Sequence, residues 1–390
     1  MFLNKGKNMN FAIVGSGFTG AVLACELAKF GHNIKVFESR SHIAGNCYTE
    51  RDNDTGIMVH KYGPHIFHTD NEEVWKYISQ LTDFMPYVNR VKTTTQGRVF
   101  SLPINLHTIN QYFNKTLNPN NAKIFIQSLS DNSINSIDSF EDQALKFLGK
   151  ELYEAFFKGY TIKQWGISPK QLPASILKRL PIRFNYDDNY FNHKFQGIPK
   201  EGYTDIIKRL LVSPRIKVYL NTKFSAKQVN NFDHVFYSGP IDEWFDYSDG
   251  RLGYRTLDFE REYHKGDYQG CAVMNYGDQH VPYTRISEHK FFSPWEKNDK
   301  TIIFKEYSRK CESGDIPYYP IRLVNEKTML NKYIQKSRQQ KGVSFLGRLG
   351  TYRYLDMDVT IAEAMDASKQ VIDSLSNNKA IPVFFINPVE

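Results

Sequence analysis

Cysteine is scarce: Cys25, Cys47, Cys271 and Cys311 are the four in 390 residues, far apart and without a C-x-x-C pair. That spacing argues against a disulfide framework and a zinc knuckle, and points to a reducing cytoplasm. Long uncharged apolar runs are missing and the mean hydropathy is −0.50, which argues against a membrane span. There is no block of five like charges, no internal repeat and no low-complexity stretch. Basic residues outnumber acidic ones by 50 to 42, a net +8, but they are dispersed, so a small anionic ligand suits them better than a nucleic acid. The richest basic patch, "KYIQKSRQQKG" at 332–342, reads as a solvated helix face.

Aromatic residues, by contrast, are abundant: 28 Phe, 24 Tyr and 4 Trp. A buried Tyr needs a partner for its hydroxyl, so the Tyr excess points to a site that stacks rings and binds polar groups. A chain of this length makes two or three structural units. Near its start, Lys5 and Lys7 precede an uncharged run from Phe11 to Cys25, the outline of an export signal. The run, however, carries Gly15, Gly17 and Gly20 as G-x-G-x-x-G. It continues into a helix closed by Gly31 and a second strand, "NIKVFES", that ends in Glu38. Strand, glycine turn, helix, strand and terminal acid together predict a dinucleotide-binding βαβ unit. Gly15 permits the tight turn, Gly17 lets a pyrophosphate approach the backbone, and Gly20 lets the helix pack on the strand. Phe18 and Thr19 open the helix, whose free N–H groups favour an anion. Glu38 stands where a carboxylate accepts ribose hydroxyls. A second turn, with Arg40 and Gly45-Asn46, suits FAD, which reaches deeper into a protein than NAD.

The stretch "VSFLGRLGTYRYLDMDVTIAEAMDASKQVIDSL" reads as a strand, a Gly347-Arg348 turn and a helix. Thr360 and Glu363 predict a T-x-x-E capping box there, and Ile361, Met365, Ile372 and Leu375 share one apolar face. A helix N-terminus arriving this late suits the flavin end of FAD. The expected fold is α/β, with a Rossmann-like FAD-binding domain divided over 9–80, 205–245 and 342–390. A helical insert at 100–200 and an antiparallel sheet domain at 81–99 and 246–341 interrupt it. In the insert, Tyr153, Phe156, Phe157 and Tyr160 follow i, i+3, i+4, i+7 spacing. A core stripe is the ordinary reading, but Lys158, Gly159 and Trp165 at its end would let the face open on a cleft. His60, His65 and His68 have H-x4-H-x2-H spacing with no carboxylate between them, so no metal is expected. Pro169, Pro173 and Pro181 divide "GISPKQLPASILKRLPIR" into a hinged lid carrying Arg179, or a static connector.

Several longer stretches, "HKYGPHIFHTDNEEVW", "LPINLHTINQ", "FFKGYTIKQWG", "NYFNHKFQGIPK", "VPYTRISEHK", "PYYPIR" and "GRLGTYRYLDMDVTI", resemble bacterial UDP-galactopyranose mutases. The resemblance runs from about Phe11 to about Leu375. Two departures stand out: Ala44 occupies a position where the family more often has Gly, and GSGFTG varies at its spacers. The resemblance implies an isomerase that interconverts UDP-galactopyranose and UDP-galactofuranose, through a covalent adduct between N5 of reduced FAD and the sugar's anomeric carbon. It implies a supply of galactofuranose for surface polysaccharide, an unidentified reductant and a homodimer.

By the same resemblance Arg179 and Arg285 hold the diphosphate, and His68 lies closest to the sugar on the flavin face, these three being the catalytic set. Tyr190, Tyr319 and Tyr354 add hydroxyls to the phosphates. Phe156, Tyr160 and Trp165 form the uridine pocket, with Tyr160 on uracil. Arg348 faces both flavin and phosphate. His65, Gly347, Asp356, Met357 and Asp358 join the residues of the two glycine-bearing turns around the flavin. Alternatives are an FAD-dependent oxidase or dehydrogenase of the same fold, a mutase that also accepts UDP-N-acetylgalactosamine, or a non-catalytic protein that senses a nucleotide or a nucleic acid.

Overall fold

A computed structural model describes residues 8–174 and 182–389. Its first unit is strand β1 (Asn10–Val14), helix α1 (Phe18–Lys29) and strand β2 (Asn33–Phe37). Phe11, Ala12 and Ile13 of β1 are all buried, as a central parallel strand covered on both faces requires. A five-stranded parallel sheet results, in the order Ile216–Tyr219, β2, β1, His234–Tyr237, Val343–Phe345. Helix α1 is apolar almost all round because it lies between this sheet and the helix Met357–Ser376. Each large core side chain here, such as Leu23 or Leu27, contributes about 1.5–3 kcal/mol by leaving water.

A seven-stranded sheet stands beside it, in the order Tyr319–Pro320, Tyr254–Lys265, Lys300–Lys310, Arg285–Glu288, Val273–Tyr276, Val91–Thr95, Arg98–Leu102. Its pairs are antiparallel except Val273–Tyr276 with Val91–Thr95, which run parallel. The segment Arg98–Leu102 straddles the boundary expected at 99/100, since it hydrogen-bonds Val91–Thr95 through a hairpin turn at Gln96-Gly97. Phe195–Pro199 leaves the helical stretch to pair with Phe67–Thr69 and Phe84–Pro86.

Three helices of the helical region start on a polar cap: Asn105, Asn118 and Ser139, the last in a reciprocal capping box with Asp142. The helix Phe140–Leu152 is broken at Gly149 (φ 78°), where a Cβ would stand 2.5 Å from the Leu129 carbonyl oxygen. A π-helical turn, Tyr153–Lys158, then leads into Gly159–Trp165. The capping box expected at Thr360 and Glu363 does not form, because the helix starts a turn earlier with Asp356 at its N-cap. The Thr360 hydroxyl donates to the Asp356 carbonyl, and Glu363 is drawn to the Arg353 guanidinium at 2.6 Å. Among the described residues no helix is long and apolar enough to cross a membrane.

Candidate active site

A cavity of about 1590 Å3 is lined from the glycine turn, the seven-stranded sheet and the helix Gly159–Trp165. Small-molecule pockets usually measure roughly 300–1,000 Å3, so this one has room for two ligands side by side.

Its floor is backbone. Gly15 has φ 98°, and a Cβ there would meet the Ser238 hydroxyl at 2.3 Å. Gly20 is packed so tightly that a Cβ would lie 2.0 Å from the Gly15 carbonyl oxygen, whereas beside Gly17 there is open space. Helix α1 has no side-chain cap and no acidic residue in its first turn, so its leading N–H groups are left for an anion. The buried Glu38 carboxylate closes the turn from the other side. It accepts from the Ser16 N–H (3.0 Å), the Ser16 hydroxyl (2.8 Å) and the Arg40 N–H (3.0 Å). Arg40 in turn gives Nη2 to Asn46 Oδ1 at 2.8 Å and lies over the Tyr62 ring. Its Nη1 is buried and, among the described residues, has no partner. Ala44 takes up the left-handed conformation (φ 75°) so that its N–H reaches the Ser16 carbonyl, which seats Gly45 3.4 Å from Gly17, measured from where a Cβ would be. An uncapped helix start, an open glycine and an unpaired buried guanidinium N–H fit a dinucleotide's phosphates.

The opposite wall is made of side chains. Strand register sets Thr93, Asn275, Arg285 and Glu306 as successive cross-strand partners, so all four occupy one row of the sheet. Arg285 places Nε and Nη2 each 2.7 Å from Glu306 Oε2, and the Thr284 hydroxyl donates to Oε1 at 3.0 Å. Burial works to lower the Arg285 pKa, but Glu306, Tyr319 and Tyr160 outweigh it and hold the guanidinium firmly charged. Asn275 and Asn89 both line the cavity with a buried, unpartnered Oδ1 among the described residues. Tyr160 and Tyr319 are raised well above the usual tyrosine range, chiefly by burial, so both hydroxyls stay protonated donors. Tyr319 stacks on Tyr354 at 5.7 Å, and the Arg348 guanidinium lies over the Tyr354 ring and donates to the Tyr318 carbonyl.

Between floor and wall sit His65 and His68. Burial pushes His65 down to about 4, and its Nδ1 lies 2.9 Å from the Gly63 carbonyl. His68 is lowered too, mainly by burial; it stacks on Phe191 at 3.7 Å and pairs Nδ1 to Nδ1 with His193 at 3.1 Å. Both rings are uncharged at neutral pH. Cys47 also lines the cavity, but burial drives its thiol up to about 12, so it is no nucleophile there. His60 turns away into the core against Phe292 and His289.

The cavity brings together Gly15, Gly17, Phe18, Thr19, Glu38, Arg40, Gly45, Asn46, His65, His68, Tyr160, Tyr190, Arg285, Tyr319, Arg348, Tyr354, Asp356 and Met357. Gly20 and Gly347 act one layer behind it; a Cβ on Gly347 would touch the Thr19 hydroxyl at 2.8 Å. Asp358 points back to its own helix, accepting from the Val359 N–H. Two expected pocket residues are elsewhere. Phe156 is wedged between Phe100 and Tyr112 in the helical core, and Trp165 packs beside the same core. Tyr160 reaches the cavity from the short helix that follows the π turn, while Tyr153, Phe156 and Phe157 stay inside. Arg179, with the centre of the proline-divided segment, lies outside the described residues. Ser16, Asn89, Asn275 and Glu306 were not foreseen. Only the pairing of distant strands puts Glu306 opposite Arg285, and sequence spacing holds no record of that register.

Residues 155–354 match the profile of a family described as UDP-galactopyranose mutase, and residues 13–81 that of an NAD(P)-binding Rossmann-like domain. A probable UDP-galactopyranose mutase of Klebsiella pneumoniae is 58% identical over 379 residues, covering 97% of this chain and 99% of its own. A dTDP-fucopyranose mutase of Escherichia coli is 53% identical over 374 residues, covering 94% and 98%. A solved structure of reduced UDP-galactopyranose mutase superposes with a TM-score of 0.72 over 97% of this chain and 99% of that one; at 14% identity it speaks for the fold.

Proposed function

The chain belongs to the UDP-galactopyranose mutase family and is thus a nucleotide-sugar isomerase, and we propose that it interconverts UDP-galactopyranose and UDP-galactofuranose with reduced FAD as cofactor. The observation that carries this reading is one cavity with a dinucleotide floor and a charged, ring-lined wall. The flavin, when bound and reduced, supplies the nucleophile for the sugar's anomeric carbon. The glycine turn and the α1 N-terminus hold its pyrophosphate, and Glu38 and Arg40 fix the adjoining ribose and phosphate. Arg285 keeps the departing diphosphate close enough to return. Its Nε and Nη2 edge is taken by Glu306, so phosphate oxygens meet the Nη1 edge of a guanidinium that cannot rotate. Tyr160 carries the uracil on its ring, while Tyr319, Tyr190 and Tyr354 donate hydroxyls to the phosphates. Arg179 is the second diphosphate ligand. His68, neutral through burial, offers the sugar hydroxyls an uncharged ring without drawing the diphosphate away.

The enzyme works in the cytoplasm, as its free cysteines suit, as a homodimer recharged by a separate reductant, and its product feeds surface polysaccharide. Incubating the dithionite-reduced protein with UDP-galactofuranose and separating products by chromatography tests the reading. UDP-galactopyranose above an oxidised control is expected, and its absence would overturn the assignment. The dTDP-fucopyranose relative makes a second substrate worth assaying beside it. One methyl on a base is worth only about 1–3 kcal/mol in a pocket, so few contacts separate uracil from thymine.

A further inference from the structure

Lys163 sits one turn after Tyr160 and reaches away from the cavity. Its ammonium lies 2.7, 2.9, 3.0 and 3.0 Å from the carbonyl oxygens of Tyr276, Asp278, Val281 and Tyr283. Tyr276 ends the strand Val273–Tyr276, and the other three belong to the connection from it to the strand Arg285–Glu288. An ammonium has three N–H donors, so four converging carbonyls are satisfied by its charge as much as by hydrogen bonds. The same connection is held from its other side. Gly277 N–H donates to the Thr94 carbonyl, and the Asp278 carboxylate accepts from the Gln96 N–H. Gly159 presses on it so closely that a Cβ would meet the Gly277 carbonyl oxygen at 2.2 Å. At the end of the short helix, Arg255 Nε donates to the Gln164 carbonyl at 3.0 Å and the Ser308 hydroxyl does so at 2.7 Å.

We propose that Lys163 is a positioning residue: its ammonium fills a ring of four main-chain carbonyls and so fixes Tyr160 and Arg285 relative to each other on the cavity wall. Removing it frees the helix that carries one and the turn that leads to the other. The effect falls on nucleotide binding, since these two side chains meet the UDP portion; to that extent the inference rests on the function proposed above.

The test uses the flavin-loaded protein and its Lys163→Met and Lys163→Ala variants. UDP affinity by titration and the KM against kcat split are read beside flavin absorbance and hydrogen exchange over 277–284. For Lys163→Met we expect UDP affinity to fall and KM to rise by roughly ten-fold or more, with flavin content unchanged and exchange in 277–284 accelerated. In Lys163→Ala, ethylammonium should restore UDP affinity and slow the exchange, whereas tetramethylammonium, which has no N–H, should not. Parental affinity in a folded Lys163→Met, or equal action of the two cations, would overturn the proposal. If both variants fail to fold, Lys163→Arg is read instead. Its planar fork cannot converge on four carbonyls, so UDP binding several-fold weaker is expected and unchanged binding overturns the proposal. Failure of the parent itself to bind UDP would strike the function, while the exchange measurement would still decide the clamp.

Discussion

The floor and the wall of the cavity are built by different means. On the floor a ligand meets chiefly main chain, an open glycine and a helix start without a cap, on a turn that the Glu38 carboxylate holds in place. On the wall it meets side chains from three strands and a short helix, aligned by register. Backbone recognition fails when volume is added; side-chain recognition fails when a functional group is taken away. The two regions should therefore break in opposite ways.

The largest effect belongs to the wall. Arg285→Ala should lower turnover about 10²–10³-fold while flavin absorbance per protein is unchanged, and Arg285→Lys should recover little because the fork against Glu306 is gone. Loss of flavin in step with activity would erase the distinction between the regions. Next, the floor separates into two layers. Gly20→Ala drives a methyl into the Gly15 carbonyl and should cost about 2–4 kcal/mol in denaturant unfolding. Gly17→Val should leave unfolding nearly unchanged yet reduce bound flavin roughly ten-fold, since its side chain enters cofactor space.

Acid should act on both regions, and more on the wall. His65 and His289 beside the wall are held down to about 4 and about 3 by burial, His60 between them well below the usual range, and His234 in the parallel sheet down to about 4. Unfolded histidine takes a proton near pH 6.5 and these folded rings do not. Their contribution is therefore complete above about pH 6.5 and falls as the pH drops toward 4, by roughly 1.4 kcal/mol per pH unit for each ring. Urea midpoints at pH 7 and pH 5 measure it, and His234→Gln should remove only one ring's share of the slope. The smallest effect is Ala44→Gly. Relief of a left-handed alanine should raise stability by about 1 kcal/mol in the same assay, and a fall would mean the alanine methyl repays its strain by packing.

The same division explains what the sequence disclosed. Each role on the floor belongs to one local segment: Gly15, Gly17, Gly20 and Glu38 lie within a single βαβ unit, so their spacing alone predicts the turn, the opening and the close packing. The wall joins Asn275, Arg285 and Glu306 from three strands. Arg285 was reachable by resemblance, but Glu306 follows only from pairing. Phe156 and Trp165, which the resemblance put in the uridine pocket, pack in the helical core, and the i, i+3, i+4 spacing carries no sign of the π turn between 153 and 158. The capping box failed because the helix begins at Met357, which leaves Thr360 inside it with its N–H already given to the Asp356 carbonyl.

That wider winding has a consequence for how such a pocket changes over time. A π turn is what one extra residue makes of an α-helix, so deleting one position inside it would restore the ordinary winding and leave Tyr160 and the helix ahead of it facing as they do. Length differences at this turn are therefore absorbed without moving the ring that lines the cavity, and descendants of one ancestor can differ there in length and keep the same wall.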